Sequence, residues 1–250
     1  MIDLKSISKN SPKPPRIIIY GTQGIGKTTF AACSENPIFI LTEDGLGDIE
    51  ANKFPLATSY SDVMDALATL GKEEHNFKTV VIDSLDWLEP LVWQATCSRI
   101  GAPSIESPGY GKGYVETATE WREFFKFVTA LRDYKNMTVI MLAHGTITRV
   151  EDPIHPAYDT HGLKLHKRAS ALAEEYSDII GFAATKTIIT TEKKKGSFNE
   201  EMRSRALTTG ERVLYLTGTP AFSAKNRYHM PDCVSLDWTE FKKNLPNGGN

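Results

Sequence analysis

The stretch GTQGIGKTT, Gly21 to Thr29, constrains this chain more than any other segment. It fits the spacing G-x-x-x-x-G-K-[ST] through Gly21, Gly26, Lys27 and Thr28, and it follows directly on the apolar run RIIIY. A strand that runs into glycines and restarts as a helix leaves backbone N–H groups free to turn inward, where side chains would block a phosphate chain. An ordinary glycine-rich turn can match the spacing by chance, but a strand before and a helix after make that a poor account. The whole loop (Gly21, Thr22, Gln23, Gly24, Ile25, Gly26, Lys27, Thr28 and Thr29) is therefore the expected nucleotide cradle. In it Lys27 reaches the β- and γ-phosphates, and the Thr28 hydroxyl turns to Mg²⁺.

The rest of the chain has the texture such a loop requires. Short apolar runs at 17–20, 38–41, 79–82, 138–142 and 179–183 read as buried parallel strands. Between them, 27–33, 62–70, 85–99, 117–134 and 163–176 carry helical spacing, as in Trp121, Phe124, Phe125 and Val128. The alternation predicts an α/β fold: a mostly parallel central sheet flanked by helices. After Ala184 the β-branched stretches 186–191 and 212–217 suggest an appended β-hairpin around the polar residues 192–210, with Lys193, Lys194 and Lys195 near its tip. Residues 1–15 read as a flexible arm broken by prolines, 16–245 as one core domain and 246–250 as a frayed tail. The three cysteines have no C-x-x-C pairing, and no signal-like or membrane-spanning run of apolar residues occurs. A reducing cytoplasm suits that composition, and the 29 basic against 31 acidic residues exclude a chain that is basic throughout.

A phosphate loop needs an acid near its metal. TVVIDS places Asp83 at the carboxyl end of a buried strand, where it can hold a metal-bound water; capping the next helix is its other reading. The residue after it is Ser84, so the glutamate that many such hydrolases place there is missing. Glu43, at the end of the strand covering 37–42, is the replacement candidate for orienting the attacking water, with a plain polar turn as the alternative.

At this point the motifs resemble the RecA-type recombinase ATPases. VVIDSLDWLEP (80–90) resembles the family's metal strand with Asp-Ser in place of Asp-Glu, and Glu43 matches the place of its catalytic glutamate. AFSAKNRYHMP (221–231) resembles its paired basic residues. By that resemblance Lys225 and Arg227 act in trans on a neighbour's ATP, which implies self-association as a filament or ring. The likeness is closest to the core-only, Sak-type annealing proteins of bacteriophages, which carry a glycine-tyrosine loop like PGYGKGY (108–114) and a strand ending in histidine like VIMLAH (139–144). It implies a RecA-like P-loop fold and makes His144 a γ-phosphate sensor; a local backbone partner is its other reading.

Proteins of that kind hold DNA through two loops, one after the metal strand and one after the sensor strand. Here 101–116 contains Tyr110, Lys112 and Tyr114, and 145–162 contains Arg149 and leads into a helix with Lys164, Lys167 and Arg168. Aromatic faces stack on unpaired bases while lysines and arginines meet phosphates. Both segments would suit a mobile surface loop or a lid as well. The leading expectation is a DNA-stimulated, Mg²⁺-dependent ATPase that binds ATP at a subunit interface and single-stranded DNA in these loops. It would assist annealing or homologous recombination, with a single-strand DNA-binding protein as a further partner, in the host cytoplasm if phage-encoded. An AAA-type helicase loader acting on a protein partner and a nucleoside kinase are the other two readings.

Overall fold

The computed structural model describes residues 3, 12–154, 156–193 and 202–245. Most of the expected arm, the expected tail 246–250, and Lys194 and Lys195 of the expected hairpin tip lie outside the described residues.

In chain order the elements are β1 (Arg16–Gly21), α1 (Lys27–Ala32), β2 (Pro37–Leu41), β3 (Asn52–Lys53), α2 (Tyr60–Lys72) and β4 (Thr79–Asp83). Then come α3 (Leu85–Ile100), α4 (Lys112–Glu116), α5 (Ala118–Lys135), β5 (Thr138–Val150), β6 (Tyr158–Leu163) and α6 (Lys167–Tyr176). The chain closes with β7 (Ile179–Lys193), β8 (Met202–Tyr215), β9 (Lys225–Asn226), β10 (Cys233–Ser235) and α7 (Trp238–Lys243). The sheet runs β10-β8-β7-β1-β5-β4-β2-β3, with β6 on β5 and β9 on β7. Pairings from β7 to β3 are parallel, while β8, β10, β6 and β9 pair antiparallel. The mostly parallel sheet flanked by helices, with a C-terminal hairpin, is thus the architecture that forms, and it is an α/β P-loop fold.

β1 shows why both faces are covered. Ile18 and Tyr20 pack into one core with α2, α3, α5 and α6, whereas Ile17 and Ile19 pack into another with Phe30, Trp238 and Phe241 from α1 and α7. A strand apolar on both faces reads as a continuous run because neither face meets water. Trp121, Phe124 and Phe125 of α5 are fully buried, as their spacing predicts. A Ser59–Asp62 capping box starts α2 two residues before the predicted beginning.

Three expectations need correction. The segment 145–162 is mostly not an irregular loop: β5 continues to Val150 and pairs with β6 from Gly145↔Leu163 to Val150↔Tyr158. Thr146, Ile147, Thr148 and Val150 are β-branched, and they favour an extended ribbon over a loop. Because Leu163 closes this ribbon, α6 begins only at Lys167, behind an N-cap at His166. The segment 101–116 is partly helical too, since α4 takes up Lys112–Glu116 after a left-handed Gly111. Finally, β7 is one strand from Ile179 to Lys193, and β8 starts at Met202, so much of the supposed polar connection 192–210 is paired strand.

Candidate nucleotide site

The loop between β1 and α1 lies at the carboxyl end of the parallel strands, where α/β sheets bind ligands. Gly21 must be glycine because β7 runs close by: a Cβ there would lie 2.2 Å from the Ala183 carbonyl oxygen. Gly26 has φ +108, in the left-handed region that side chains rarely adopt, and leads directly into Lys27. Lys27 is buried, and its Nζ donates to the carbonyls of Gly21 (3.2 Å) and Thr22 (3.0 Å). Burial pushes its amine below the usual value, against the pull of Asp83, Asp86 and Glu43. A buried cation folded onto neutral carbonyls is poised to meet an anion.

Next to it the Thr28 hydroxyl donates to Asp83 Oδ2 over 2.9 Å. Asp83 ends β4 and is buried; burial raises its carboxyl pKa, Thr28 and Lys27 oppose the rise, and Glu43 adds to it. A hydroxyl and a buried carboxylate in mutual reach, with no lysine or arginine ion-paired to the carboxylate among the described residues, are the hard oxygen donors that Mg²⁺ takes. These residues fit the metal: Thr28 and Asp83 would hold it beside the phosphates, where it would neutralise developing charge.

Glu43 follows β2, whose Leu41 is in register with Asp83. Thr42 joins the two strand ends, its hydroxyl donating to the Ser84 carbonyl (2.7 Å) and accepting from the Ser84 N–H (2.9 Å). The Ser84 hydroxyl then donates to Glu43 Oε1 at 2.8 Å. The carboxylate is therefore held one residue from Asp83, although it comes from another strand. Ser84 is the N-cap residue of α3.

His144 lies opposite Gly21 in the β1–β5 register. Asp86, in the first turn of α3, clamps it twice: Oδ1 accepts the His144 N–H at 2.9 Å, and Oδ2 lies 2.8 Å from ring Nδ1. Sequence reasoning passed over Asp86, three residues after Asp83 and so on the strand-end side of α3; that spacing is the signal that could have found it. Lys164 approaches the same carboxylate at 3.9 Å, and its N–H donates to the His144 carbonyl.

Beyond this clamp is a cavity of about 530 Å³ lined in part by Trp87, Glu89, Trp93, Thr146 and Lys164. Glu89 is buried and accepts the His166 N–H on both oxygens, and burial pushes its carboxyl up to about 7. The Tyr114 ring stacks on His166 at 4.2 Å and meets Trp93 edge-on at 5.5 Å. Tyr114 is thus already stacked, whereas Tyr110 is fully exposed. Lys112, Arg149, Lys164, Lys167 and Arg168 are exposed as well. Arg149 stands apart on the ribbon, in register with Asp159.

Lys225 and Arg227 do not join their own phosphate loop. Lys225 pairs with Ile180 through β9, and Arg227 reaches Asp178 Oδ1 at 3.2 Å, beside Arg16 at the opposite end of β1. A role on the nucleotide of the same chain is excluded by that position.

The family AAA_24, described as AAA domain, matches residues 13–228. Over 170 residues the chain is 25% identical to the SPbeta prophage-derived uncharacterized protein YorG of Bacillus subtilis (strain 168), covering 66% of this chain and 49% of that protein. The chain thus spans about half the length of that relative. The crystal structure of the RadB recombinase aligns with a TM-score of 0.44 at 14% identity, covering 81% of this chain and 80% of that one. Among the described residues no helix is long and apolar enough to cross a membrane.

Proposed function

The chain belongs to the AAA domain family, and from that premise we propose that this P-loop ATPase hydrolyses ATP with Mg²⁺ and couples hydrolysis to binding of single-stranded DNA, in support of annealing or recombination. The observation that carries the reading is the direct link between the nucleotide corner and the basic, aromatic surface beside it. His144 stands opposite Gly21, Asp86 clamps it, and Lys164 touches both the Asp86 carboxylate and the His144 backbone. Strand-end groups next to a phosphate loop register nucleotide state, and an adjoining surface of rings and cations suits unpaired bases and phosphates.

In this reading Lys27 and the loop backbone bind the phosphates, Thr28 and Asp83 hold the metal, and Glu43 accepts a proton from the attacking water. Lys225 and Arg227, remote from their own loop, reach the nucleotide of a neighbouring copy, so assembly on DNA completes the site. The prophage origin of the relative supports membership of the Sak-type phage group and a place in a host cytoplasm, where a single-strand DNA-binding protein is a natural companion.

Phosphate release from ATP, with and without single-stranded DNA at low and moderate salt, tests this. Stimulation by DNA that is lost in Lys27→Ala and Glu43→Gln is the expected result. Hydrolysis indifferent to DNA would overturn it. A protein partner would then be favoured instead, for which the exposed Trp87, Ile147 and Ile154 offer apolar contact (52%, 61% and 84% exposed).

A further inference from the structure

One cation reaches the phosphate loop from the C-terminal hairpin, and neither the loop motif nor the paired basic residues include it. Register along the sheet puts it there. Gly21 stands opposite Ala183 of β7, Ala183 stands opposite Leu214 of β8, and two residues away Thr185 stands opposite Arg212. Side chains two apart on a strand share a face. Arg212 therefore projects on the side where Leu214 packs with Phe30 and Trp238, the side from which α1 begins.

Its guanidinium ends over Gly26. An added Cβ at that glycine would lie 2.9 Å from Arg212 Nη1 and 3.9 Å from its Cδ. The Arg212 backbone is fixed from both sides, by β7 and by the Leu236 N–H donating to its carbonyl at 3.0 Å. Among the described residues the guanidinium has no carboxylate within ion-pair distance, although its neighbour Glu211 pairs with Lys186. An exposed arginine whose backbone is fixed beside the loop, and whose guanidinium lies over Gly26 without a counter-charge, is suited to recognise a phosphate with planar, paired donors.

We propose that Arg212 is a nucleotide-binding residue acting in cis, on the diphosphate part of a bound nucleotide. The choice of phosphate follows from Gly26, since the loop backbone cradles the α- and β-phosphates while Lys27 reaches outward to the γ-phosphate. Arg212 accordingly contributes to ADP and ATP binding alike and leaves the chemical step to Glu43. The inference rests on the nucleotide site proposed above.

Calorimetric titration of the full chain with ADP and Mg²⁺ tests it, using wild type, Arg212→Ala, Arg212→Lys and Lys27→Ala. Arg212→Ala should weaken ADP about tenfold or more, as expected for a lost charge-assisted hydrogen bond, and Arg212→Lys should restore part of the loss. The melting temperature without nucleotide should not change, while the upward shift given by ADP shrinks; a merely structural arginine would lower the first. The KM for ATP should rise by about the factor by which ADP affinity falls, because uniform binding acts on KM. Wild-type affinity for ADP in Arg212→Ala would overturn the assignment, as would intact ADP affinity with lost turnover. If wild type itself binds no ADP, the nucleotide site fails as a whole; if only Lys27→Ala loses binding, Arg212 alone is wrong.

Discussion

The Ser84 hydroxyl and Glu43 Oε1 lie 2.8 Å apart, joining the end of β4 to a carboxylate just past the end of the neighbouring β2. This contact gives Asp-Ser an effect that Asp-Glu achieves with adjacent residues: an acid is fixed one position from Asp83. Glu43→Gln should therefore lower the turnover of ATP by about a hundredfold or more while nucleotide affinity stays near wild type. Ser84→Ala, which frees the carboxylate without removing it, should cost about tenfold. Single-turnover hydrolysis measured beside an equilibrium titration separates the two effects.

Thr28 and Asp83 form a second pair whose loss should show in metal dependence. Asp83→Asn keeps the acceptor for the Thr28 hydroxyl but loses the charge that Mg²⁺ needs. The Mg²⁺ concentration giving half-maximal turnover should rise about tenfold or more, with little change in melting temperature. A titration of activity against Mg²⁺ at saturating ATP checks it.

Glu89 carries a pH signature. Its folded carboxyl value of about 7 lies above the ordinary 4.5, because burial disfavours the charged form. Between those values the folded chain binds more protons than the unfolded chain, so stability falls as pH rises through that window. Glu89→Gln should remove this slope and be more stable than wild type at pH 8 by roughly 1–3 kcal/mol. Urea denaturation at pH 5 and pH 8 measures both ends.

Asp178 behaves in the opposite sense. Burial works to raise its pKa, but the side chain and backbone N–H of Arg16, with Arg132 nearby, hold its carboxyl below the ordinary range. Its contribution is present above the unfolded carboxylate value and is lost as pH falls through the lower folded one. Asp178→Asn leaves the buried Arg16 without its counter-charge and should cost about 3 kcal/mol or more near neutral pH. The difference from wild type should narrow towards pH 2, as seen in denaturation midpoints.

Affinity for single-stranded DNA should fall steeply with salt, since released counterions drive phosphate contacts. Removing Lys164 and Lys167 together should weaken binding and flatten the salt slope by about one to two ions, while Tyr110→Ala should weaken binding and leave the slope intact. Fluorescence anisotropy across a salt series distinguishes the two.

The phosphate loop and the parallel strands were legible because their signals are local: a fixed spacing, and runs apolar on both faces. The placement of Glu43 beside the end of β4 was legible because it follows such a run, where strand order brings carboxyl ends together. Asp86 was missed because its role depends on β5 lying beside α3, a contact between residues 58 apart in sequence. Arg212 was missed for a similar reason, since only the β7–β8 register puts it over Gly26. The segment 145–162 reads as a loop in the sequence because glycine, proline and charged residues mask a β-branched alternation that pairing then stabilises.

One strand, β5, contains both His144 and the outer ribbon that ends at Val150. The ribbon and the residue that borders the phosphate loop thus share one length of backbone, with no loop or second element between Val150 and His144. A displacement of the ribbon would reach the root of the phosphate loop along one unbroken backbone.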